Sequence, residues 1–187
     1  INSLDSCDLH FDDVRIPAEN RLTPEGEGLS AALSILTGGR IAIASQSVGL
    51  AQAALDEAIE YAQKREQFDQ PIADIQAIRH KLADMATQVR AARLLARDAA
   101  RRADEGEDVR SAASMAKYFA SEAAMAVTNE AVQIHGGAGY VRSDVERFYR
   151  DAKVTTIYEG TTQVQKTIIA RNLLGREPGA APRSPSP

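Results

Sequence analysis

From Leu29 to Leu55 the chain carries one charged side chain, Arg40. A stretch that apolar has to leave water, either in a bilayer or inside a packed bundle. Its interruptions favour the bundle: Gln46, Gln52, several serines and Gly38, Gly39 and Gly49 break the run, and no aromatic belt flanks it. We expect a helix buried on most sides, running to about Lys64 and central to the fold, with no membrane span. Arg40 then requires a buried partner, an acidic side chain or an anionic ligand group.

A helix of that kind needs others to bury it, and the rest of the chain supplies them. After Pro71, a good first-turn residue, the apolar positions Ile75, Ile78, Leu82, Met85, Val89 and Ala92 recur in alternating steps of three and four, the spacing of an antiparallel bundle helix. The Asp104-Glu105-Gly106 turn ends it. A third, alanine-rich helix carrying Phe119, Val127 and Val132 runs to Gly136-Gly137. Ser143 and Glu146 have capping-box spacing and predict a short helix over Val145 to Asp151. The β-branched run Val154-Thr155-Thr156-Ile157 favours extended backbone. Thr161 can cap a last helix ending near Gly175. Aromatics at 5% with no Trp suit such an Ala/Leu-rich core, and 187 residues suffice for one ordinary domain.

The ends read differently. Cys7, Leu9 and Phe11 alternate with Asp8, His10 and Asp12, the pattern of a half-buried strand. One strand has no sheet, so its pairing partners must lie in other sequence or another chain. Ile1 in place of Met, with no signal peptide ahead of it, likewise points to a fragment or processed product. A turn-rich stretch from Ile16 to Gly28 follows. From Glu177 the tail holds four prolines in eleven residues and is expected to be disordered. No internal repeat is present.

Several function classes drop out. A net charge of −4 argues against a nucleic-acid surface, and Arg90, Arg93, Arg97, Arg101 and Arg102 read as a solvated helix face. The single cysteine builds no disulfide framework and fits a reducing compartment. His10, His80 and His135 lack zinc spacing, so no metal site is expected.

The residues left for chemistry each have two readings. Glu159 is a carboxylate ahead of a helix, where it can simply face the exposed N–H groups. Beside a buried ligand, with Ile157, Tyr158 and Gly160 around it, it can instead be a general base, burial raising its proton affinity and the helix end lowering it. The three glycines after Gln133-Ile134-His135, at Gly136, Gly137 and Gly139, either stop a helix or let a ligand approach bare backbone. Arg65, Gln67 and Phe68 offer a cation and an aromatic for a pyrophosphate and a ring system, or Arg65 only faces a helix C-terminus.

These signals fall in one order along residues 7–17 (CDLHFDDVRIP), 65–72 (REQFDQPI), 133–140 (QIHGGAGY) and 150–165 (RDAKVTTIYEGTTQVQ). The chain resembles the acyl-CoA dehydrogenase family from end to end apart from the proline-rich tail. The resemblance implies an all-α, up-down four-helix bundle with a short N-terminal β-strand remnant. Residues 1–25 would be the end of a middle β-domain and a linker, 26–176 the C-terminal helical bundle, and 177–187 the tail.

The resemblance further implies an FAD-dependent dehydrogenation of an acyl-CoA thioester to the trans-2-enoyl-CoA. Glu159 would take the α-proton while the β-hydride goes to the flavin. Arg65, Gln67, Phe68, Gln76 and the run Gln133, Ile134, His135, Gly136 and Gly137 would touch a flavin bound mainly by a neighbouring subunit. Thr161 and Gln163 would touch the subunit's own flavin. Arg40, Tyr158 and Gly160 would line the substrate site. Part of the family places its base just before the arginine matching Arg40, but Gly39 stands there and cannot serve. Asp69 departs from the family's usual glycine, and either weakens flavin contact or points to solvent. Implied partners are an electron-transferring flavoprotein and further copies of the chain, in a tetramer or dimer, in the cytoplasm or a mitochondrial matrix. An acyl-CoA oxidase on the same scaffold, or a non-catalytic subunit, stays open; a nitroalkane-type oxidase fits less well because its base is Asp.

Overall fold

A computed structural model describes residue 1 and residues 7–175. The chain forms helix α1 (Gly28–Lys64), a hairpin of β1 (Glu66–Gln67) and β2 (Gln70–Pro71), then α2 (Gln76–Asp104) and α3 (Arg110–His135). The single turn α4 (Gly137–Tyr140), α5 (Asp144–Thr155) and α6 (Thr162–Leu174) complete it. The all-α bundle expected from the spacing is present. Its three long helices pack on one another, and two consecutive short helices fill the fourth position, α5 against α1 and α3 and α6 against α3.

The core follows from the stripes. Met85, Val89 and Ala92 of α2 are buried, as are Ala124, Val127, Ala131 and Ile134 of α3 and Ala51, Ala54, Leu55 and Ala58 of α1. Toward the other end a second cluster is built almost wholly from alanine, with Ala44 and Val48 facing Ala92, Ala96, Ala99, Ala116 and Ala120. Such small side chains let helix axes approach closely, and alanine loses no rotamer entropy on burial.

Four expectations need correction. By length and composition α1 could cross a membrane, and no residue of it before Arg40 is buried. Leu29 is 73% and Ile35 75% exposed, so burial on most sides holds only for the later two-thirds of the helix, where α2, α3 and α5 cover it. Residues 7–11 form no strand, and Cys7, Leu9 and Phe11 are exposed together with Asp8 and His10. A strand exists only through its ladder, and no described residue offers one here.

Pro71 caps a 3-10 turn (Ile72–Asp74), so α2 starts five residues later than the proline implied. The short helix predicted over 145–151 extends to Thr155 and absorbs half of the β-branched run. Thr155 and Thr156 turn their hydroxyls onto the Ala152 and Lys153 carbonyls at 2.7 and 2.9 Å, satisfying acceptors that a helix end would leave open. Ser143 accepts from the Glu146 N–H at 3.2 Å, as its spacing predicted, and Gly175 closes α6 in the left-handed region at φ 62°. The expected tail at 177–187 lies outside the described residues.

Candidate active site

Three elements meet at Glu159. The loop joining α5 to α6 carries Tyr158, Glu159 and Gly160, α1 brings Gly39, Arg40 and Gln46, and α3 brings Lys117. Glu159 lies at φ 53° and Gly160 at φ 90°. For a glutamate that left-handed backbone costs on the order of 1 kcal/mol, which the surroundings must offset. They do so by gripping the two carbonyls: Gln165 Nε2 donates to Glu159 O at 3.1 Å and to Gly160 O at 2.9 Å, and Lys117 Nζ donates to Gly160 O at 2.8 Å. Gly160 admits no side chain, because a Cβ there would stand 2.5 Å from Gln165 Nε2. Beyond the turn Thr161 caps α6, its hydroxyl accepting from the Val164 N–H at 3.3 Å.

The Glu159 carboxylate points back to α1. Its Oε2 is buried and has no hydrogen-bond partner among the described residues. The carboxylate fills the space that Gly39 leaves open, since a Cβ on Gly39 would meet the Glu159 carboxyl carbon at 2.9 Å. Arg40, the lone charge of the apolar run, is only 6% exposed and its Nε has no hydrogen-bond partner among the described residues. Burial lowers its proton affinity and the nearby Glu159 carboxylate raises it. Glu159 is thus a carboxylate close enough to act on Arg40 through its charge. Tyr158 donates its hydroxyl to Gln46 Oε1 at 2.5 Å, and burial holds that phenol protonated to higher pH than usual.

The remaining site residues lie elsewhere. Arg65, Gln67, Phe68 and Gln76 cluster with Gln133, His135, Gly136 and Gly137 at the far end of α1, where Tyr61 stacks on His135 at 4.2 Å. At about 1.5 Å per residue, Arg40 and Tyr61 are roughly 30 Å apart along the helix. Arg65, Gln67, Gln76 and Gln133 are exposed, and Phe68 is 84% exposed at the hairpin tip. Ile134 buries its side chain in the core, and His135 Nδ1 lies 2.8 Å from Ala131 O. Gly136, at φ 59°, ends α3. Gly139 packs on α3, where a Cβ would come within 2.7 Å of His135 Cβ, so only Gly136 and Gly137 present bare backbone. Gln163 is exposed in the first turn of α6, close in sequence to Glu159.

The hairpin sets the backbone that Asp69 must adopt. Phe68 at φ 57° and Asp69 at φ 62° are the two central residues of a two-residue turn, the I′ arrangement that favours Asn-Gly. Asp69 is exposed and tolerates this backbone better than most residues would. Asp69→Val, β-branched, will destabilise the protein by about 1–2 kcal/mol. The check is the urea midpoint, which should fall with an unchanged slope.

Two residues of the Glu159 cluster escaped the sequence reading, Lys117 and Gln165. Both carried a signal. Lys117 interrupts the buried stripe Ala113, Ala120, Ala124, Val127 and Ala131 of α3, and is itself completely buried. It is to α3 what Arg40 is to α1, a lone charge on an apolar face. Gln165 shares the buried face of α6 with Thr162.

Comparison with known proteins places this geometry in a family. Residues 26–174 match the model of the acyl-CoA dehydrogenase C-terminal domain. The chain is 51% identical over 170 residues to a caffeyl-CoA reductase–Etf complex subunit of Acetobacterium woodii, covering 90% of this chain and 45% of that protein. It is 47% identical to a short-chain specific acyl-CoA dehydrogenase of Megasphaera elsdenii over 93% of this chain and 46% of the relative. The solved butyryl-CoA dehydrogenase of Megasphaera elsdenii superimposes with a TM-score of 0.84 at 48% identity, over 88% of this chain and 43% of that one. The chain thus spans a little under half the length of the relatives it matches.

Proposed function

The chain belongs to the acyl-CoA dehydrogenase family, and from that premise we propose that the protein carrying it interconverts an acyl-CoA thioester and its 2-enoyl counterpart, with Glu159 as the base. One observation carries the reading. Glu159 Oε2 is a buried carboxylate oxygen with no partner among the described residues, on a strained backbone, in a space that Gly39 keeps clear. Burying a carboxylate oxygen without a hydrogen bond is costly, and sites where such a cost is tolerated are often sites of function. A lone pair committed to a salt bridge would be a poor proton acceptor.

In this reading Glu159 accepts the α-proton of the thioester, and its fixed turn keeps the oxygen on the reacting carbon. Tyr158 and Gly160 line the acyl pocket, and Arg40 holds a positive charge close by. FAD, when bound, supplies the hydride acceptor that this chain's side chains lack. The residues present suit it. Thr161 and Gln163 stand beside Glu159, where they would hold the subunit's own flavin. The exposed ring of Phe68, the Arg65 guanidinium, Gln67, Gln76, Gln133 and the bare backbone of Gly136 and Gly137 offer a second contact surface. Ile134 and His135 would join it through main chain and the free ring nitrogen. The separation of roughly 30 Å along α1 supports assigning that surface to the flavin of a neighbouring copy, and so a dimer or tetramer.

A second reading concerns direction. The 51% identical relative is named a reductase, which supports running the same residues in reverse, Glu159 then delivering the proton. That relative is a subunit of a complex with Etf, which supports an electron-transferring flavoprotein as the electron partner, in preference to oxygen. The test reduces the flavin-loaded full-length protein with butyryl-CoA without oxygen, then admits air. The reduced flavin is expected to persist in air and to reoxidise quickly only when electron-transferring flavoprotein is added. Rapid reoxidation by oxygen alone would move the protein to the acyl-CoA oxidases.

A further inference from the structure

The Glu159 turn is held more firmly than its hydrogen bonding requires. Gln165 alone donates to both carbonyls of the turn, Glu159 O and Gly160 O. Lys117 adds a second donor to Gly160 O. A neutral side chain of similar length could fill that space without the desolvation cost of an ammonium, and buried charges that do not improve stability call for another explanation. What Lys117 adds over Gln165 is charge.

We propose that Lys117 is a positioning residue for Glu159: by donating to the Gly160 carbonyl, and not to the carboxylate, it places a positive charge near Glu159 while leaving Oε2 open to take a proton. A direct salt bridge would also bring a positive charge to the carboxylate, but it would occupy the lone pair the reaction needs. The inference rests on the reading of Glu159 as the base and deepens it.

The charges around Lys117 fit this role. Arg40 approaches from α1, Glu122 from its own helix, and Glu159 from the α5–α6 loop. Glu122 is engaged elsewhere, accepting from the Thr162 hydroxyl of α6 at 2.7 Å. Burial pulls the Lys117 ammonium down to about 8, with Arg40 acting in the same direction and the two carboxylates opposing. At neutral pH the residue is therefore still mainly cationic.

The experiment uses the flavin-loaded full-length protein and measures the anaerobic rate of flavin bleaching by butyryl-CoA from pH 5.5 to 8, about the range a carboxylate base near working pH explores. Lys117→Met removes the charge and the donor, and Lys117→Gln keeps an amide donor without the charge. Both are expected to move the acid limb of the rate profile upward by about one pH unit, because the carboxylate loses a nearby cation. In Lys117→Gln the plateau above the limb should stay within about threefold of the parent, the amide still holding Gly160 O. A purely structural lysine would lower the plateau and leave the limb where it was, and that result overturns the proposal. Loss of flavin or of folding in both variants overturns it equally, since Lys117 would then be a packing element. Glu159→Gln run in parallel separates the two levels: normal bleaching there removes the base itself, whereas a dead Glu159→Gln with an unmoved Lys117 limb removes only this inference.

Discussion

Glu159→Gln in the flavin-loaded full-length protein will slow bleaching by butyryl-CoA about 10³-fold, within the range general bases contribute. Glutamine has the shape of glutamate and keeps one oxygen, so the contacts around it survive. The turn is held through main-chain carbonyls, by Gln165 and Lys117, and neither contact depends on the side chain at 159. Flavin content and melting temperature should therefore hold, and the melting temperature can rise slightly, because the substitution removes a buried and unpartnered carboxylate oxygen. Loss of rate with retained or improved stability is the mark of a residue kept for chemistry. Bleaching at the parent rate would remove Glu159 from the base role.

Gly39→Ala will have the second largest effect, through one added methyl group on a residue that performs no chemistry. A Cβ at 39 would lie 2.9 Å from the Glu159 carboxyl carbon, well inside van der Waals contact. The backbone at 159 cannot retreat, because its own carbonyl and that of Gly160 are pinned and its φ of 53° is already unusual. The side chain must swing instead, carrying the oxygen off the reacting carbon. A displacement of about 1 Å costs around 10²-fold in rate, so we expect bleaching to fall by that order with substrate affinity changed far less. Stability responds differently. Alanine improves a helix interior by up to about 1 kcal/mol over glycine, which offsets part of the clash, so the melting temperature should move little. Stopped-flow reduction beside a thermal melt separates the two effects, and an unchanged rate would show that the carboxylate has room the geometry does not give it.

The relation between Gly39 and Glu159 shows where reading a sequence stops. In the sequence Gly39 stands out because part of the family keeps its base at that position, and a glycine there excludes the alternative. That is an argument about absence. The fold turns it into one about space: the two positions, 120 residues apart in the chain, share one volume, and the glycine is the room in which the glutamate sits. No local pattern encodes that, because the contact exists only after α1 and the α5–α6 loop have packed.

The helices were legible for a plain reason. An amphipathic stripe, a Ser143 cap and a terminal Gly175 act within a few residues, and their energetics belong to the segment that carries them. Propensity misled where tertiary contacts or backbone satisfaction outweighed it. Val154 and Thr155 continued as helix once the threonine hydroxyls found carbonyls to bond. Residues 7–11, patterned as a strand, formed none because a strand depends on a neighbour. Lys117 was overlooked among the alanines of α3 although Arg40 was caught in α1. The difference is density: Arg40 stands alone in a long apolar run, while the sequence around Lys117 is mixed and its buried stripe emerges only once helical phase is applied.

By itself the sequence determined the order and approximate limits of the five main helices, the family, and the identity of the one carboxylate worth watching. The tertiary structure alone decided what surrounds that carboxylate. At the opening of the site Glu159 is a glutamate ahead of a helix, equally suited to capping it. Packing put it on left-handed backbone, against a glycine, within the field of Arg40 and Lys117 and, among the described residues, without a hydrogen bond at Oε2. Burial, field and free volume are sums over residues distant in the chain, so they come into being only with the fold.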